Sequence, residues 1–180
     1  MWKQFDAEPL FGIQRQSCEE NGVQVTLCDV LLDHGMLDAD HVRIFKPDAF
    51  FSARIVSNPP KSVDCLVIVK KDCPGEVMIW LIENRDIKNR EGFQSREIEE
   101  KFKTTLEWLD EHFKDFLTTV RLVSIKAWFV TTLYQHMNED VQRRRFRGLS
   151  LDVFQSRTLR FGNLPVQIEP LLSPQQICYW

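Results

Sequence analysis

The sequence predicts an α/β protein, a mixed central β-sheet flanked by helices. Three observations carry this. Two apolar runs, Val63 to Lys70 and Glu76 to Glu83, bracket Asp72-Cys73-Pro74-Gly75 and read as a β-hairpin. A helical stripe follows, with Ile98, Phe102, Leu106, Leu109, Phe113 and Phe116 recurring every three or four residues. A β-rich run, Arg121 to Leu133, then returns the chain to the sheet. A long helix between two strands is the connection that lets the second add in parallel, with a right-handed crossover as the default.

Each element follows from its local pattern. Ser17 to His34 carries Val23, Leu27, Val30, Leu31 and His34 at helical spacing, with Gly35 as a stop, and is expected as a helix. Asp38 to Asp48 is polar and expected as a loop or short helical turn. Ala49 to Val56 reads as a first strand closed by Asn58-Pro59-Pro60. The hairpin strands are apolar on both faces, so they are central strands covered on both sides, with helices expected over each face. The stripe spans a helix from Ser95 to Phe116, with Ser95 as N-cap and Glu97 in the first turn. Tyr134 to Arg147 is charged and suits a short helix. Arg157 to Ile168 reads as a strand pair around Gly162-Asn163. No linker or repeat divides residues 1–180, so a single domain is expected.

Composition narrows the function classes. Gly is sparse at 7 residues and no Walker or dinucleotide motif occurs, which argues against a glycine-rich phosphate loop. No apolar run is long enough to span a bilayer, so no membrane partner is expected. The five cysteines include no C-x-x-C pair, and Cys65 falls inside a strand. The expectation is a cytoplasmic protein with reduced thiols, Cys65 among them. Without cysteines at ligand spacing, His34 and His41 are expected in structural or surface roles rather than on zinc. The net charge of −3 leaves room for a local basic face, and Arg143, Arg144, Arg145 and Arg147 are its best candidates.

The hairpin also makes a chemical statement. If its turn centres between Cys73 and Pro74, Asp64 faces Glu83. If Pro74 and Gly75 are the central pair, Asp64 faces Arg85. Either register puts Asp64, Glu83 and Arg85 on one face of the sheet, with opposed Cβ atoms ~5 Å apart. Two carboxylates that close repel unless positive charge lies between them. A divalent cation, Mg²⁺ or Mn²⁺, suits such an oxygen-rich site. An ordinary ion pair of Glu83 with Arg85 at a solvated strand end is the plainer alternative.

An acidic residue heading one strand, an acid-x-base triplet ending the next, then a helix and a further strand resemble the PD-(D/E)xK nuclease superfamily. The matching residues are Val63-Asp64 and Glu83-Asn84-Arg85, and the resemblance covers about residues 49–133. It implies a restriction-endonuclease-like core and metal-assisted hydrolysis of a phosphodiester, in DNA before RNA, often by a homodimer. It also implies Mg²⁺ or Mn²⁺ held by Asp64, Glu83 and the backbone carbonyl of Asn84. Glu19 or Glu20 would be a further ligand. The family's usual lysine is Arg85 here, which forks its donors and stays protonated. A lysine from elsewhere would then serve, with Lys101, Lys103 and Lys88 as candidates. Val63 stands where the family has proline; a literal Pro47-Asp48 precedes the expected first strand. The alternative is a non-catalytic interaction or nucleic-acid-binding domain that keeps the same fold.

Overall fold

The computed structural model describes residues 17–54, 57–87, 94–133, 137–154 and 158–178. The lead-in over residues 1–16 and Lys88 lie outside these. A six-stranded mixed sheet forms the centre. In chain order its strands are β5 (Val42–Phe45), β6 (Cys65–Lys70), β7 (Glu76–Arg85), β8 (Arg121–Thr131), β9 (Thr158–Phe161) and β10 (Leu164–Leu172). Their spatial order is β5-β6-β7-β8-β10-β9. β5, β6 and β7 are antiparallel neighbours, whereas β8 lies parallel to β7 and β10 parallel to β8. The hairpin β6–β7 therefore sits inside the sheet, as its two-sided apolar pattern requires.

The helices are α1 (Pro47–Arg54), α2 (Ser95–His112), α3 (Lys114–Thr119) and α4 (Glu139–Phe154). All four place buried aromatic residues in one core on one face of the sheet: Phe50 and Phe51, Phe102, Phe116, and Phe146 with Phe154. The predicted stripe is buried along its whole length. The helix that carries it breaks at Phe113 (φ −114°, ψ 15°), and Gln94, not Ser95, flanks its start.

The second face corrects the expectation of helices on both sides. Among the described residues it is covered by a small sheet, β1 (Cys18–Glu20), β2 (Val23–Leu27) and β11 (Gln175–Ile177), with a 3-10 turn at Asp29–Leu31. A two-stranded ribbon, β3 (Leu32–Asp33) with β4 (Met36–Leu37), completes the N-terminal part.

Ser17 to His34 is thus not a helix. Val23, Val25 and Leu27 alternate into the core while Gln24 is exposed, the period of a strand. Asn21 (φ 51°) and Gly22 (φ 78°) both adopt the left-handed conformation of a tight hairpin turn, which L-residues other than Asn resist. Val30, which completed the helical spacing, is 58% exposed.

A second correction exchanges two neighbours. The segment read as a loop supplies the strand β5, whose four residues are all buried. Ala49 to Arg54, read as a strand, belongs to α1. Pro47 opens that helix at the position where its missing N–H costs nothing, and Asp48 Oδ1 accepts from Ala49 N at 2.8 Å. The segment read as a short helix from Tyr134 becomes α4, which runs on to Phe154. The strand pair around Gly162-Asn163 forms as β9 and β10.

Cys65 is not a free thiol: it is bonded to Cys18. That bond joins β1 of the small sheet to β6 of the central one.

Phe102 is fully buried between α2 and the sheet. Phe102→Ala is expected to cost about 3–5 kcal/mol of stability, measured by denaturant unfolding. A loss under about 1 kcal/mol would mean that α2 is not seated on this core.

Candidate active site

The observed hairpin register pairs Cys65 with Ile82 and Leu66 with Leu81. One step further along, Asp64 falls beside Glu83, the first of the two registers the sequence allowed. Asn84 N confirms the approach by donating to Asp64 Oδ2 at 2.7 Å. Residue alternation puts Glu83 on the α2 side of β7. The Asn84 side chain turns to the other face, where Nδ2 donates to the Cys18 carbonyl at 3.3 Å.

Helix α2 crosses over this face and brings Lys101 onto both carboxylates. Lys101 Nζ lies 2.7 Å from Glu83 Oε1 and 3.5 Å from Asp64 Oδ1. Arg85 Nε donates to the same Glu83 oxygen at 2.8 Å, and its Nη2 reaches Glu97 Oε1 at 3.1 Å. Of the candidate lysines on α2, Lys101 is the one brought to the two carboxylates. Arg85 is instead engaged by two carboxylates. Lys103 points elsewhere, 3.8 Å from Glu107 on the exposed side of α2.

The group is deeply placed. Glu83 is 0% and Asp64 7% exposed. Among the described residues, Glu83 Oε2, Glu20 Oε2 and Asn84 Oδ1 are buried without a hydrogen-bond partner. Burial first, then repulsion from Glu83, pushes the Asp64 carboxyl up to about 6, against the pull of Lys101 and the Asn84 N–H. Glu20, at the end of β1, is raised too, by burial and then by Asp64. Glu20 rather than Glu19 is thus the β1 carboxylate that senses the site. Asp48, of the literal Pro-Asp pair, acts on both Asp64 and Glu20 through its charge. The Arg85 hydrogen bond holds Glu97 below the usual carboxylate range.

Sequence reasoning missed Thr105. It is fully buried, its Oγ1 accepts from Val63 N at 3.1 Å, and it donates to the Lys101 carbonyl at 2.8 Å. One hydroxyl therefore fastens the chain beside Asp64 to the helical turn that carries Lys101. The signal was available: Lys101, Thr105 and Trp108 run at helical spacing along the edge of the apolar stripe.

Arg143, Arg144, Arg145 and Arg147 are exposed on α4, a different element that packs on β10. Arg143 pairs with Glu139, and Arg143, Arg144 and Arg147 line a surface depression with Asp140. His34 and His41 are not brought together as ligands: His34 sits in the turn between β3 and β4, and His41 Nδ1 contacts Asp38 at 2.7 Å.

Asp64 makes a pH-dependent claim. Its folded-state value of about 6 lies above the ordinary 3.8, so the folded chain holds that proton more tightly. The ionised carboxylate then weakens the fold as pH rises through this window, and the cost persists above it. Asp64→Asn is expected to be more stable than the parent at pH 8 by about 1–3 kcal/mol, with the gain shrinking below pH 5. Denaturant unfolding at both pH values measures this. A variant less stable at pH 8 would show that the Lys101 ion pair outweighs the burial cost.

Comparison of the chain with protein-family models, curated proteins and solved structures finds no match to any of them.

Proposed function

We propose that the chain is a metal-dependent nuclease, hydrolysing phosphodiesters of nucleic acid, DNA before RNA, on a restriction-endonuclease-like core of PD-(D/E)xK type. The observation that carries this reading is Lys101 Nζ between Asp64 and Glu83. It supplies from α2 the acid, acid and lysine set that the hairpin alone lacked.

The donor set fits a hard divalent cation. Asp64 and Glu83 are opposed carboxylates, and Glu83 Oε2 is buried without a donor among the described residues. Asp48, Glu20, Asp64, Glu83 and Glu97 bring five carboxylates into the region, with Lys101 and Arg85 on the central ones and Lys46 and Lys61 acting at the edge. Among the described residues no three His, Cys, Asp or Glu side chains converge on one point. Mg²⁺ is commonly held by one or two carboxylates with water and substrate phosphate completing its shell. Asp64 and Glu83 would hold it, with the Asn84 carbonyl beside them. The bound ion supplies Lewis acidity and a more acidic water.

The chain's own groups do the rest. Lys101 presents a compact ammonium where the scissile phosphate gains negative charge. Arg85, clamped between Glu83 and Glu97, orients Glu83 rather than reaching for substrate. Arg143, Arg144, Arg145 and Arg147 offer exposed cations to backbone phosphates flanking the cut, a contact that weakens with salt. A homodimer would set two such centres against the two strands of a duplex.

One observation favours a second reading. Glu83 is fully enclosed and Lys101 and Arg85 share its Oε1, which also describes a structural ion-pair network in a non-catalytic interaction domain. Purified protein with Mg²⁺ or Mn²⁺ on duplex, single-stranded and branched DNA separates the two. The nuclease reading expects cleavage that Asp64→Ala and Glu83→Ala abolish and Lys101→Ala slows by about 100-fold or more. Cleavage that survives both carboxylate substitutions sinks the site. No cleavage of any substrate with any divalent ion leaves the interaction domain.

A further inference from the structure

A second pair of cysteines lies outside the carboxylate cluster. β2 and β11 run parallel, with Thr26 opposite Gln176 and Leu27 opposite Ile177. Cys28 N continues this ladder by donating to the Ile177 carbonyl at 3.0 Å. The next residues out, Cys28 and Cys178, therefore face each other across the strand pair. Paired strands lie ~4.8 Å apart, within the ~4.4–6.8 Å Cα separation that a disulfide spans. Both are free thiols packed in the second core, and the Cys28 side chain is among the groups that act on the Cys178 thiol. Cys28 is buried and Cys178 half-buried, so a reagent from solvent meets Cys178 first. The remaining free cysteine, Cys73, is exposed in the hairpin turn at the far end of β6.

We propose that Cys28 and Cys178 are a thiol-oxidation site that takes a low-molecular-weight disulfide and closes to an intramolecular Cys28–Cys178 bond. Cys178 Sγ bonds one sulfur of the reagent, and the other sulfur leaves as a thiol with the Cys178 proton. Cys28 Sγ then displaces the attached sulfur, which leaves as a second thiol with the Cys28 proton. Two protein thiols are oxidised and one reagent disulfide is reduced to two thiols. Burial, and then the Cys28 side chain, push the Cys178 thiol up to about 11, so the attacking thiolate is scarce at neutral pH and the exchange quickens as pH rises.

The bond would have a structural consequence. Cys18–Cys65 already ties β1 to the central sheet. Closing Cys28 on Cys178 would tie β2 to β11. The hairpin that carries Glu20 would then be held at both ends.

The test uses the full chain with Cys73→Ser, to prevent exchange between molecules, incubated with oxidised glutathione. Peptide mapping without reductant is expected to link the peptide containing Cys28 to that containing Cys178, with the Cys18–Cys65 link intact. The melting temperature should rise by about 5–10 °C, and Cys178→Ser should abolish both link and rise. Cys28 and Cys178 both remaining alkylatable after this treatment would overturn the proposal. So would glutathione persisting on Cys178 without displacement by Cys28.

Discussion

The register of β6 against β7 is the constraint on which the rest depends. A shift by one residue would turn Asp64 or Glu83 to the opposite face and exchange that strand's apolar side chains between the two cores, each packed for the other set. With Cys65 opposite Ile82, the two carboxylates meet at the open end of the hairpin, on the face that α2 covers. Everything charged in the site then follows from one problem: two acids brought together in a buried place. Lys101 answers it from above, the Asn84 N–H from within the sheet, and Arg85 with Glu97 from the rim. The answer is incomplete. Asp64 is left with a raised carboxyl and Glu83 with an oxygen to which no described residue donates.

Tertiary fastening makes that arrangement specific. Lys101 could sit on any turn of a helix laid across the sheet. Its place is set by the stripe from Ile98 to Leu109, which fixes the rotation of α2. Thr105 fixes its height by linking the backbone before Asp64 to the Lys101 carbonyl. On the far face, the Cys18–Cys65 bond seats β1 so that Glu20 looks into the same region. The site is built where two cores meet the end of one hairpin, with Glu20 as acidic neighbour on one face and Glu97 and Asp48 on the other.

Much of this was legible in the sequence, for physical reasons. The hairpin, the stripe and the strand from Arg121 each show a period maintained over many residues, and such periods are enforced by burial. Asp64, Glu83 and Arg85 share a face in either register, so that statement did not depend on the turn. The N-terminal third was misread because its signals are short. Val23, Leu27 and Leu31 satisfy a helical spacing, and only the Asn21-Gly22 turn, with its positive φ angles, decides for a hairpin. Pro47 falls in the stretch expected as a loop or short helical turn, and it is the first residue of a helix. The Cys18–Cys65 bond could not be read, because five cysteines permit many pairings and the choice is made by which strands cross. Lys101 was one of three candidate lysines that the resemblance implied, and the crossing of α2 over β7 separates it from Lys103.

The central proposal is that Asp64 and Glu83 hold a divalent cation, at the Glu83 oxygen that no described residue donates to. Calorimetric titration of the purified protein with Mn²⁺ at pH 7.5 tests it most directly, without requiring the right nucleic acid. The account predicts one saturable site per chain, lost in Glu83→Gln and in Asp64→Asn while both variants remain folded. Binding that is absent from the parent protein, or unchanged in both variants, would contradict it.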